Sequence, residues 1–309
     1  MSANLPASPS LQEIIETQEY FKLPTPVLVE KDWYVVRALA SINAVEVQPF
    51  RLIFGGGTCL SRAHKLIQRM SEDIDLKIIC KEKPRRADLR RLRNSITEAL
   101  LKAGFQFDPE NEEHRQSANE SRHTLYRLPY NSKLKGLRPE IKIETAVWPM
   151  RLSPVSCSVS SFWAEAFQKP PEVPSIPCAA LNEAIAEKFV ALTRRYGECK
   201  ITNVPDNTLV RHVYDLFVTR SHYDRSEVCR LIGELMLQDA EEHGNKFPAY
   251  KQNPLDETLR SVSGLTTDDI AVANYSDFLR EMVYGEKPDF PTAVAVLSVL
   301  ADGLQARIA

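Results

Sequence analysis

Leu52-Ile53-Phe54-Gly55-Gly56-Gly57-Thr58, followed by Ser71-Glu72-Asp73-Ile74-Asp75-Leu76, is the stretch that decides how this 309-residue chain reads. Leu52, Ile53 and Phe54 suit a short buried strand, and the three glycines let the backbone turn sharply and approach a ligand closely. A helix beginning at or just after Thr58 would aim unpaired N–H groups and the positive end of its dipole at the loop, an arrangement that holds phosphate. Asp73 and Asp75, two apart on a strand, project from one face and repel each other. Magnesium removes that repulsion, because it prefers hard oxygen ligands and binds one or two carboxylates together with substrate phosphates. A glycine loop by itself is common, and an Asp-x-Asp is more often a solvated pair at a strand end. Together, with Gly57 and Asp73 sixteen residues apart, they favour a phosphate-and-metal site.

At this point the residues carry a resemblance. The order G-G-T/S, short helix, then D-x-D on the next strand resembles the nucleotidyltransferase superfold of DNA polymerase β. More narrowly, GGGTCLSRAH (55–64) and RMSEDIDL (69–76) resemble the AbiEii/AbiGii family of nucleotidyltransferase toxins, which includes the MenT toxins. Glu30-Lys31-Asp32-Trp33-Tyr34 also resembles a helix start that lies upstream of the glycine loop in that family.

Composition is that of an ordinary soluble protein, 43% hydrophobic and 26% charged, long enough for two modest domains. No apolar run reaches the roughly 20 residues that span a membrane, and MSANLPASPS lacks the regions of a signal peptide, so a cytoplasmic location and no membrane partner are expected. Six cysteines without a CxxC pair signal neither zinc nor a disulfide framework. The net charge of −2 conceals a basic focus: residues 81–102 carry Lys81, Lys83, Arg85, Arg86, Arg90, Arg91, Arg93 and Lys102 against three acids. A charge run is ordinarily a solvated helix face, but a basic patch beside a phosphate-handling site is also what a polyanionic RNA acceptor requires, with Arg90, Arg91 and Arg93 as candidate contacts.

Periodicity predicts helices at 11–22 and 29–43, a strand at 50–54, a helix at 58–66, a strand at 73–79 and a basic amphipathic helix at 87–103. Further strands are expected at 124–129, 140–147 and 156–160, with 109–122 an exposed loop. Four prolines in 168–178 argue against a helix or central strand and place a domain boundary there. Helices follow at 181–196, 206–221, 224–240, 255–262, 267–283 and 290–307. The expected class is α+β: a polymerase β-like nucleotidyltransferase domain with a small mixed sheet, residues 1–168, then a helical bundle, residues 169–309, that closes the nucleotide cleft.

A site of this type needs a third carboxylate from a neighbouring strand. On a strand over 140–147, Glu140, Lys142 and Glu144 share one face, and either glutamate could serve; the resemblance favours Glu144. In the first helix after the prolines, Lys188 falls beside Leu192 on an apolar stripe, which snorkelling alone could explain. The resemblance of Ala186–Leu192 to the family's "AEKhxAL" helix implies instead a lysine of the active site. Arg211 and Asp215 fall together on the polar face of the helix over 206–221, where an exposed pair signifies little. The family's R-D-x-Y-D-L segment, here Arg211-His212-Val213-Tyr214-Asp215-Leu216, implies that Asp215 completes the site and leaves His212 without a role.

The expected enzyme is a metal-dependent nucleotidyltransferase. Asp73, Asp75 and Glu144 would hold Mg2+ or Mn2+, Gly55, Gly56, Gly57, Thr58, Ser71 and Lys188 would bind a nucleoside triphosphate, and Asp215 would support catalysis. The resemblance further implies a toxin of a toxin–antitoxin or phage-defence system that transfers nucleotides to tRNA 3′ ends and pairs with a cognate antitoxin; a monomer is expected. Two rivals are an aminoglycoside-type transferase, disfavoured by the basic patch, and a non-catalytic module that binds nucleotide or a partner.

Overall fold

The computed structural model describes residues 8–308; residues 1–7, part of the stretch read above for a signal peptide, lie outside them. The chain divides into two compact units, one made of residues up to 65 and 70–179, the other of 66–69 and 180–309.

The first unit opens with α1 (Leu11–Phe21) and α2 (Val27–Asn43). Ser10 starts α1 with a capping box, its hydroxyl accepting from Glu13 N and its own N–H donating to the Glu13 carboxylate. There follow β1 (Arg51–Gly55), α3 (Gly56–Thr58), a π turn (Cys59–Ala63), β2 (Asp73–Ile79), α4 (Arg86–Lys102), β3 (Arg115–Ala118), β4 (His123–Pro129), β5 (Glu140–Val147), β6 (Val155–Val159), α5 (Phe162–Ala166) and β7 (Val173–Cys178). The strands form one mixed sheet in the order β3-β4-β5-β2-β1-β7-β6. The β2/β5 and β1/β7 pairs are parallel and the others antiparallel.

Alternation along the strands separates the two faces of this sheet. Ile74, Leu76, Ile78, Ile141, Ile143, Tyr126 and Leu128 share one core cluster with Val35 and Leu39 of α2 and with Leu89, Leu92, Ile96 and Leu100 of α4. Asp73, Asp75, Lys77, Glu140, Lys142 and Glu144 therefore stand on the other face.

Three local expectations are corrected. The helical turn begins at Gly56, two residues before Thr58, and gives way to a π turn. The polar segment 109–122 contains β3, an edge strand with little apolar alternation to betray it. The proline-rich segment, expected to hold no helix or central strand, contains β7, which lies between β1 and β6. It meets β1 only at Phe54↔Cys178, with Ala179 N donating to Phe54 O at 2.8 Å, so Pro174 and Pro177 fall where no β1 ladder bond needs their missing N–H.

The second unit is helical: α6 (Leu181–Thr202), α7 (Val210–Val218), α8 (Arg225–His243), α9 (Pro248–Gln252), α10 (Pro254–Thr266), α11 (Asp269–Met282) and α12 (Phe290–Ile308). Asp224 and Asp268 cap α8 and α11 through backbone N–H groups of the first turn. Ile185, Phe189 and Leu192 are fully buried, as the stripe on α6 predicts. All six cysteines are free thiols. Among the described residues no helix is long and apolar enough to cross a membrane.

Candidate active site

Parallel pairing of β2 with β5 sets Asp73 opposite Lys142 and Asp75 opposite Glu144. Neighbouring strands lie roughly 4.8 Å apart, so the register brings Asp73, Asp75 and Glu144 together on one face. Glu140 pairs with Pro129 of β4 but lies beyond the part of β5 that pairs with β2, and it meets Arg138, 3.1 Å away. Register thus sets Glu144, and not Glu140, opposite a residue of β2, which alternation along one strand could not reveal.

The second glycine has a specific task. Gly56 has φ +71, and a Cβ there would sit 1.8 Å from Asp75 Oδ2. Only glycine lets the turn lie against that carboxylate and adopt this backbone conformation without strain. Gly55 is extended and Gly57 has no such constraint. Thr58, expected near the phosphates, is buried and points inward: its hydroxyl donates to the Asp73 carbonyl and contacts Ser71 Oγ at 3.0 Å. It ties the turn to the start of β2 and makes no side-chain cap.

Cations are interleaved on this face. Lys142 Nζ pairs with Glu144 Oε1, and His123 Nε2 approaches Glu144 Oε2 to 3.8 Å. Burial pulls the Lys142 ammonium down, but Glu144, Asp73 and Asp75 outweigh it and hold its pKa above the ordinary lysine range. Burial likewise raises the Glu144 carboxyl, and Lys142 with His123 reverses the shift, leaving it below the ordinary range. Arg127 pairs in register with Lys142 on β4. No group of three or more His, Cys, Asp and Glu side chains among the described residues forms a metal cage by itself. The hard oxygens of Asp73 and Asp75 fit the other mode of magnesium binding, in which one or two carboxylates act with substrate phosphates.

The basic helix stands elsewhere. Since α4 packs on the opposite face of the sheet, Arg90, Arg91 and Arg93 are not beside the carboxylates. Arg91 Nη2 donates to Gln48 O at 2.7 Å, and Arg93 Nη1 reaches Ser117 and Ser121, each at 3.3 Å. Arg90 is exposed. Amphipathicity identified α4's apolar side but not which face of the sheet it would cover.

Three consecutive charged residues at the start of α2 organise the surroundings. Glu30, Lys31 and Asp32 are all buried. Glu30 accepts from Ser132 and from Lys133 N, Lys31 pairs with Glu72 and donates to Arg138 O at 3.1 Å, and Asp32 accepts from Phe162 N at 2.7 Å. Arg62 of the π turn lies 3.5 Å from Asp32 and stacks 3.6 Å over Phe162. Burial pushes the Asp32 carboxyl up to about 6 against the opposing pull of Arg62. The available signal was three charges in succession within Val27-Leu28-Val29-Glu30-Lys31-Asp32-Trp33.

In the second unit, Asp215 is not an exposed partner of Arg211. It is fully buried, with Arg69 gripping it through Nε and Nη2, both at 2.7 Å, and Lys188 Nζ 2.8 Å from Oδ2. Burial raises the Asp215 carboxyl, but Arg69 and Lys188 more than reverse this and hold it far below the ordinary range. Lys188 is 7% exposed and does not snorkel. Arg69 is positioned by a bridge to Val283; 146 residues separate it from Asp215, which hid the pair from any local pattern. His212 Nδ1 is buried without a partner, and burial together with the Lys188 ammonium pushes the imidazole well below its usual range.

A family model described as the nucleotidyl transferase AbiEii toxin of type IV toxin–antitoxin systems matches residues 37–296. Among solved structures, the chain is similar to the nucleotidyltransferase toxin MenT4 of Mycobacterium tuberculosis H37Rv, with 18% identity, 97% of this chain and 89% of that one covered, and a TM-score of 0.47. It is also similar to JHP933 of Helicobacter pylori, with 14% identity, coverage of 97% and 96%, and a TM-score of 0.38. No curated protein is a significant match.

Proposed function

The chain belongs to the AbiEii family of nucleotidyl transferase toxins, and on that premise we propose that it transfers a nucleoside monophosphate from a nucleoside triphosphate to an RNA acceptor, the tRNA 3′ end. The observation that carries this reading is the register of Asp75 with Glu144, with Asp73 on the same face and Gly56 against the Asp75 carboxylate.

In the proposed reaction an acceptor hydroxyl oxygen attacks the α-phosphorus. The bond from that phosphorus to the bridging oxygen breaks, and pyrophosphate leaves. Asp75 or Glu144 takes the hydroxyl proton. Asp73 and Asp75 would hold Mg2+, which when bound offsets charge on the attacking and leaving oxygens. Gly55, Gly56, Gly57 and Ser71 shape the phosphate end of the site; Lys188, the lysine that the family resemblance assigns to phosphate neutralisation, has its ammonium fixed by Asp215, which Arg69 also holds. A polyanionic acceptor is supported by Lys77, Arg127 and Lys142, which share the carboxylates' face. The same cations disfavour a cationic drug as acceptor.

The reading also entails a cognate antitoxin, a monomeric toxin and action in the cytoplasm. Incubating the purified chain with each labelled triphosphate and total tRNA, with and without magnesium, tests it. Label in RNA only when magnesium is present is the expected result; label in no RNA with any triphosphate would contradict it.

A further inference from the structure

We propose that a cavity on the helix-covered face of the sheet, between α2 and the loops that follow α4 and β4, binds a nucleotide, with its base against an aromatic wall and its phosphate on Arg37. The cavity lies apart from the carboxylates and does not depend on the transfer reaction proposed above.

Its wall is aromatic. Tyr34 and Tyr130 stack with ring centroids 4.1 Å apart, and Phe105 stands edge-on to Tyr34 at 6.4 Å. With Arg37 and Gly104 they line a cavity of about 280 Å3, at the small end of ligand pockets, which run roughly 300–1,000 Å3. Phe105 belongs to the core cluster beneath α2 and α4, and Tyr34 and Tyr130 pack against that cluster, so the cavity is on the face opposite Asp73, Asp75 and Glu144.

Arg37 marks the cavity as a site. Its Nη2 donates to Ala103 O, and its guanidinium lies 5.2 Å and 5.7 Å from the ring centroids of Trp33 and Phe105. These contacts fix the group but bring it no anion: no carboxylate among the described residues pairs with it, and its Nε is buried without a hydrogen-bond partner, as is Tyr130 Oη. Burial draws the guanidinium below its usual pKa range, with Tyr34 opposing. Gly104 makes room for it, since a Cβ there, at φ +86, would sit 3.0 Å from Arg37 Nη2.

A half-buried cation without a counter-charge is costly, and a phosphate supplies that charge in the geometry a guanidinium prefers. Every nucleobase has a π-face that stacks on aromatic side chains. Phosphate alone would leave the rings unused, and an apolar ligand would leave Arg37 uncompensated. A nucleotide meets both, whether it is a free mononucleotide or one unit of an RNA strand.

The test is isothermal titration calorimetry of the full chain in EDTA with AMP, adenosine, ribose 5-phosphate and a single-stranded tetramer of adenylate. Wild type is compared with Arg37→Met and with Asn131→Trp, which puts bulk on an exposed residue at the cavity mouth. The proposal expects wild type to bind AMP more tightly than adenosine or ribose 5-phosphate, and each variant that keeps native circular dichroism to bind AMP about tenfold more weakly or worse. Tighter binding of the tetramer than of AMP supports the site with an RNA strand as its source, and equal or weaker binding supports it with a free mononucleotide. No binding of AMP by wild type, or AMP bound no more tightly than adenosine, would overturn the proposal without any variant. Undiminished AMP binding by a folded Arg37→Met or Asn131→Trp would overturn it as well. None of these outcomes bears on label transfer to RNA, which tests the active site separately.

Discussion

A Cβ on Gly56 would sit 1.8 Å from Asp75 Oδ2, so the turn after β1 and the second carboxylate of β2 occupy space that only a glycine leaves free. Gly56→Ala must push Asp75 aside as well as strain a backbone at φ +71. An error of about 1 Å at a reacting group can lower rate about 100-fold, whereas the stability loss for a left-handed alanine is on the order of 1 kcal/mol. Transfer assays and thermal melts on Gly56→Ala should therefore show a large loss of activity with a small shift in Tm. Full activity would mean that Asp75 is not held where the chemistry needs it.

The buried Arg69–Asp215–Lys188 group makes a separate prediction for stability. Removing one partner of a buried ion pair leaves an uncompensated charge, at about 3–5 kcal/mol. Asp215→Asn should lose stability of that order in urea denaturation, because both Arg69 and Lys188 lose their anion. Lys188→Met should lose less, since the Arg69 fork on Asp215 remains. Equal losses would show that Lys188, and not Arg69, is the partner that matters.

Charge reversal distinguishes the two faces of the sheet. Arg127→Glu, in register with Lys142, should weaken transfer to RNA and do so more strongly at low salt. Arg90→Glu on α4 should leave transfer within about twofold, since α4 covers the opposite face. A larger loss for Arg90→Glu would restore the basic helix as the acceptor surface.

Asp32 ties stability to pH. Its carboxyl titrates near 6 in the fold, above the ordinary 3.8. A raised folded pKa means that the folded state binds the proton more tightly, so this contribution is complete below 3.8 and is lost as pH rises through about 6. Wild type should thus gain stability relative to Asp32→Asn, on the order of 1 kcal/mol, between pH 7 and pH 5. Denaturation at the two pH values checks it; a gap independent of pH would place the Asp32 titration elsewhere.

Much of this was legible from residues alone, and the failures have physical causes. Alternation read correctly for Asp73–Ile79 and Glu140–Val147, because a strand with one polar and one apolar face shows its period directly. Alternation left Glu140 and Glu144 equivalent, and the resemblance alone favoured Glu144; that Glu144 stands opposite Asp75 is a property of the β2/β5 register and not of either strand. Pro174 and Pro177 argued against a strand, yet β7 accommodates them because β1 reaches it only at Cys178. Asp215 looked exposed because its helix period was read without Arg69, which comes from a four-residue segment far away in the chain. Nothing in the run Glu30-Lys31-Asp32 itself predicts burial; only partners 30 to 130 residues away explain it.

The central claim is that Asp73, Asp75 and Glu144 form the reacting centre, and labelled-nucleotide transfer to tRNA by Asp73→Asn, beside wild type and Glu140→Gln, tests it most directly. With native circular dichroism in all three, the account predicts transfer by wild type and Glu140→Gln and none by Asp73→Asn. Undiminished transfer by Asp73→Asn would contradict it.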